Sequence, residues 1–83
     1  MGCLPSSIHT REYGRFRALL IDARKKAGLS QAELAKRLAK PQSFVSKFER
    51  GERRLDVIEF RAVAQALGLD ALRVLRRLYR ETR

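Results

Sequence analysis

The chain of 83 residues has one cysteine, one histidine, nine acidic residues and no apolar run longer than four. A single cysteine cannot close an internal disulfide, so the fold must rest on its apolar core, as in a reduced, cytoplasmic protein. The longest apolar stretch, Ala18-Leu19-Leu20-Ile21, falls far short of the ~20 residues that span a membrane. Residues 1–8 carry no positive side chain and no long apolar run, so a secretory signal is not expected. His9 stands six residues from Cys3, and no acidic cluster has metal-ligand spacing. No metal, cofactor, small-molecule ligand or catalytic constellation is therefore expected, and an enzyme is not. Strand-like alternation, internal repeats and low-complexity tracts are missing as well.

What remains is basic and helical. Nineteen Lys and Arg against nine Asp and Glu give a net charge of +10 and a pI near 11.1. Such an excess points to a polyanion, nucleic acid before an anionic membrane surface. The charge is uneven. Residues 1–10 hold no charged side chain, whereas 36–54 carry Lys36, Arg37, Lys40, Lys47, Arg50, Arg53 and Arg54 against Glu49 and Glu52, a local +5. At this length one domain is expected: a loose arm over residues 1–10, then a single domain over 11–83.

Helical periodicity starts at Thr10. Phe16, Leu19, Leu20, Ala23 and Ala27 share one face of a first helix, closed by Gly28. Ser30-Gln31-Ala32-Glu33 fits a capping box that opens a second, with Leu34, Ala35 and Leu38 inward. Pro41 disfavours a helical Lys40 and can begin a third helix, with Val45 and Phe48 inward and Gly51 at its end. Asp56 opens a fourth with Ile58, Val63 and Leu67 as its apolar positions, ended by Gly68. Asp70 caps a fifth that runs to about Tyr79 or Glu81. The fold class is all-α.

Two short helices joined by a few residues suggest a helix-turn-helix. The run Arg24-Lys25-Lys26-Ala27-Gly28-Leu29-Ser30-Gln31-Ala32-Glu33-Leu34-Ala35, followed by Gln42-Ser43-Phe44-Val45-Ser46-Lys47-Phe48-Glu49-Arg50-Gly51, closely resembles the phage-repressor and Cro-like family, also called the xenobiotic-response-element (XRE) family. The resemblance covers about residues 15–70. It implies a compact five-helix, lambda-repressor-like domain that inserts its third helix into the major groove of double-stranded DNA, usually as a dimer. It implies a transcriptional regulator, repressor or autoregulator. It also implies that Gln31 meets a backbone phosphate and that Arg24 pairs with Glu49 to tie the scaffold to the reading helix. Position 39, commonly glycine in that family, is Ala39 here; a positive φ there would cost about 1 kcal/mol, unless Pro41 reshapes the turn.

The third helix can be oriented without the family. At about 100° per residue, Val45 and Phe48 mark the core side, and Ser43, Ser46, Lys47 and Arg50 point away from it. Gln42 stands at the tip that approaches base edges. Glutamine matches adenine and lysine matches guanine, so Gln42, Ser43 and Lys47 are base-reading candidates beside a solvated-face alternative. Ser46 faces either a base or a phosphate. Phe44 lies on the flank, either packed at the boundary or against a thymine methyl. Arg50, Arg53 and Arg54 suit phosphates, and Lys40 joins them with less support.

The fifth helix offers a second reading. Ala71, Leu72, Val74, Leu75, Leu78 and Tyr79 make too broad an apolar surface for one small core. Leu72, Leu75, Leu78 and Tyr79 are thus assigned to dimerisation, which matches a two-fold operator. The competing reading is a protein-interaction module, such as an antitoxin or adaptor, acting through this helix. Met1-Gly2-Cys3-Leu4-Pro5-Ser6 also fits a myristoylation pattern, a modification not expected in a prokaryotic family. No separate effector domain is expected at this length.

Overall fold

The computed structural model describes residues 10–82; of the arm expected over 1–10, all but Thr10, including the lipidation pattern, lies outside them, and Thr10 is the N-cap of the first helix. Five helices make up the described residues: α1 Arg11–Lys26, α2 Gln31–Leu38, α3 Gln42–Glu49, α4 Val57–Ala66 and α5 Ala71–Thr82. Their ends follow from local chemistry. The Thr10 hydroxyl accepts from the Tyr13 amide. Ser30 with Glu33, and Asp56 with Glu59, form complete capping boxes, each satisfying two of the amides that a helix start leaves over. Gly28, Gly51 and Gly68 take positive φ after α1, α3 and α4.

The α2–α3 turn is not reshaped around its proline. Ala39 adopts φ 55°, ψ 42°, the left-handed region that disfavours a Cβ. Pro41 is the N-cap of α3, one position earlier than its first turn, and offers no side-chain cap.

α2 packs on α3 and α4, α1 on α3 and α5, and α4 on α5. The core they enclose centres on Leu20, Leu34, Val45, Phe48 and Val63, each almost fully buried. Phe16 meets Phe60 edge-on at 5.0 Å, and the Tyr13 hydroxyl accepts from the Leu55 amide at 2.8 Å. Two residues of the apolar pattern lie at the surface. Ile58 is 71% exposed, because the inner stripe of α4 runs Phe60, Val63, Ala64, Leu67 and Ile58 stands ~200° away from Phe60. Ala27 is exposed too, having become the C-cap of α1.

Candidate nucleic-acid interface

α3 carries two unlike faces. Val45, Phe48 and Glu49 are buried, while Gln42, Ser43 and Lys47 are exposed and Ser46 is half-buried. The buried carboxylate of Glu49 is held from two helices. Arg24 donates Nε to Oε2 at 2.7 Å and Nη2 to Oε1 at 3.0 Å, and Gln31 adds Nε2 to Oε1 at 2.9 Å. A third donor of Arg24, Nη1, reaches the Leu29 carbonyl at 2.8 Å. This fork geometry is available to arginine and not to lysine. With side-chain exposures of 10% and 5%, the pair is buried and ties α1 to the end of α3.

Gln31, expected at a phosphate, gives one of its two amide N–H groups to Glu49, which brings the start of α2 beside the end of α3; the second N–H and the backbone amides of that helix start are of the kind that binds anions.

The basic residues after α3 divide into two kinds. Arg53 makes a two-pronged pair with Glu59, at 2.9 and 2.6 Å, and also donates to the Arg54 carbonyl at 2.8 Å. Its guanidinium lies 4.8 Å from the Phe44 ring centre, with Lys40 Nζ at 5.5 Å from the same ring. Phe44 itself is half-buried and meets Phe48 edge-on at 5.7 Å. The ring is therefore a boundary residue flanked by two cations. Arg53 and the Asp56 amide pull the Glu59 carboxyl down to about 2. Arg50 pairs with Glu52 at 2.9 and 3.1 Å while staying exposed. Arg54 and Lys40 are exposed as well.

Two further arginines bond to helix ends, Arg17 given no role by the sequence reading and Arg37 counted there only in the basic stretch 36–54. Arg17 donates Nη1 to the backbone carbonyl of Glu49 at 2.7 Å, and Arg37 donates to that of Ala66 at 2.9 Å. Each meets the negative end of a helix dipole. For Arg17 a signal existed: it stands seven residues before Arg24, two turns away on the same face.

α5 has no buried residue. Leu72 is 62%, Leu75 43% and Tyr79 70% exposed. Leu78 differs from the expected set, being half-buried and packed with Val74 against the core. An apolar cleft lined by Tyr13, Val57, Phe60, Leu75 and Leu78 joins α5 to α1 and α4. Beside the apolar stripe run Arg76 and Arg80, and Glu81 draws in both Arg15 and Arg77, which keeps its carboxyl below the usual range.

A helix-turn-helix family model matches residues 20–73. Among solved structures, an XRE-family like protein from Pseudomonas syringae pv. tomato str. DC3000 is 48% identical, over 93% of this chain and 94% of that one, with a TM-score of 0.86. The chain belongs to the XRE family of helix-turn-helix proteins. XRE-family proteins are DNA-binding regulators and not enzymes. The restriction-modification controller protein C.AhdI from Aeromonas hydrophila is 26% identical, covering 84% of this chain and 99% of its own, at TM-score 0.73. The clp gene regulator ClgR from C. glutamicum, at 23% identity, 90% and 97% coverage and TM-score 0.76, shares the fold. No curated protein matches the sequence. Among the described residues of this XRE-family chain, no helix is long and apolar enough to cross a membrane, and no group of His, Cys, Asp or Glu is placed to hold a metal.

Proposed function

We propose that this XRE-family protein is a sequence-specific transcriptional regulator, a repressor or autoregulator, that binds a palindromic operator as a homodimer. One observation carries the reading of bases by α3. Gln42, Ser43 and Lys47 are exposed on a helix whose other face is buried, and their side chains bond to nothing among the described residues. Donors and acceptors held on a fixed helix and left unused are what base edges require. Ser46, half-buried, serves at the margin of that face, and Phe44 acts as packing with only its exposed edge toward a thymine methyl. Arg50, Arg54, Lys40 and the α2 helix start meet phosphates. Arg53, engaged by Glu59, contributes charge from a fixed place.

The dimer reading rests on α5. Leu72, Leu75 and Tyr79 present an apolar stripe that a single chain leaves in water, and Val57, 78% exposed, extends it across the cleft. A two-fold contact there would bury both copies of the stripe. The test is selection of duplexes from a random library, with sedimentation of the free protein. An enriched inverted repeat and a concentration-dependent dimer are expected. Failure to enrich any sequence would overturn the reading and favour the adaptor alternative, in which α5 engages another protein.

A further inference from the structure

We infer that Arg17 is a positioning residue for DNA reading, one that fastens the exit of α3 and the turn leading into the basic loop; this rests on the reading of α3 as the base-contacting helix. Its Nη1 donates to the Glu49 carbonyl at 2.7 Å, one of the carbonyls that a helix end leaves without an intrahelical donor. The positive charge also stands at the negative end of the α3 dipole. The same guanidinium presses on Gly51. A Cβ there would lie 3.0 Å from Cζ, 3.2 Å from Nε and 3.3 Å from Nη1 of Arg17. Gly51 thus meets two demands, a φ of +79° and the close approach of Arg17.

The Nε of Arg17 is buried with no acceptor among the described residues. An unmade bond of that kind is costly, and the bond to the Glu49 carbonyl is the one hydrogen bond that the Arg17 guanidinium makes among the described residues. Arg17 and Arg24 share a face of α1, and both act on Glu49: Arg24 holds its carboxylate and Arg17 its backbone. The first fixes the rotation of α3 about its axis. The second fixes the end from which Arg50, Arg53 and Arg54 are launched. Loss of Arg17 should therefore disturb recognition without removing a phosphate contact.

The experiment uses a duplex selected by the parent from a random library and a scrambled duplex, each titrated at several salt concentrations. Arg17→Met keeps the stem and a helix-favouring side chain while removing the donors. It should lower the specific-to-random affinity ratio at least fivefold with the salt slope unchanged, and Arg17→Lys should recover most of that loss. A purely structural role would lower the denaturation midpoint without moving the ratio, which would overturn the inference. Equal weakening on both duplexes with a flatter salt slope would overturn it too, by making Arg17 a phosphate contact. Gln42→Ala is the control. A lowered ratio for Gln42→Ala with an unchanged one for Arg17→Met sinks the Arg17 inference alone, whereas an unchanged ratio for Gln42→Ala sinks the reading of α3 beneath it. If Arg17→Met does not fold, Arg17→Gln is read in its place: a threefold fall supports the inference and a parental ratio overturns it.

Discussion

α3 and α5 are both short amphipathic helices, and their outward faces differ in kind. α3 buries Val45, Phe48 and Glu49 and turns Gln42, Ser43 and Lys47 to solvent. α5 buries nothing fully and turns Leu72, Leu75 and Tyr79 outward. The first is held by a polar clasp from α1 and α2, so its exposed groups are hydrogen-bonding and fixed. The second is held by Val74 and Leu78 against the core, so its exposed groups are apolar and spare. A fixed polar face suits the grooves of DNA, and a spare apolar face suits protein.

The contrast can be broken most strongly at Glu49. Glu49→Ala leaves the buried Arg24 without its partner, and an uncompensated buried charge costs about 3 kcal/mol. A urea denaturation midpoint well below the parent's is the expected outcome. Equal midpoints would mean that the clasp contributes nothing to holding α3.

On α5, the two kinds of leucine should separate. Leu75→Glu should weaken self-association by about 2 kcal/mol, the scale of one buried leucine, and leave chain stability nearly untouched. Leu78→Ala should instead cost chain stability by about 2 kcal/mol, as a partly buried core leucine. Sedimentation and urea melts on both variants decide this; a parent that stays monomeric at every concentration removes the dimer.

The Arg53–Glu59 pair supplies a pH test. Glu59 falls from an ordinary 4.5 to about 2, so its stabilising contribution is fully present above pH 4.5 and is lost as pH drops through about 2. The stability gap between parent and Glu59→Gln should accordingly be widest at neutral pH and close as pH approaches 2. A gap that does not change with pH would detach Glu59 from Arg53.

The smallest effect belongs to the turn. Ala39→Gly removes a Cβ from φ 55° and should stabilise the chain by about 0.5–1 kcal/mol, read as a raised midpoint. A lowered midpoint would show that the turn favours alanine.

Much of this arrangement was legible from residue spacing. Capping boxes at Ser30 and Asp56 and glycines at 28, 51 and 68 mark helix ends because backbone chemistry there is local. The outward set on α3 followed from the helical period once Val45 and Phe48 were placed inward. Long-range partners were harder. Nothing near Arg53 in sequence reveals that it stacks on Phe44 as well as pairing with Glu59, and Arg37 meets a carbonyl 29 residues away. Ile58 misled because an apolar residue in a first turn need not lie on the stripe that Phe60 begins. Leu78 and Leu75 look alike in a pattern, and only packing against α1 and α4 tells them apart.

The most direct test is a set of binding titrations of Gln42→Ala and Lys47→Ala on selected and scrambled duplexes at two salt concentrations. Each substitution should cost about 1–3 kcal/mol on the selected site and relax preference at one or two base pairs. On scrambled duplex, Gln42→Ala should bind like the parent, and Lys47→Ala should lose only its share of general charge. A specific-to-random ratio untouched by both substitutions would contradict the assignment of α3 as the reading helix.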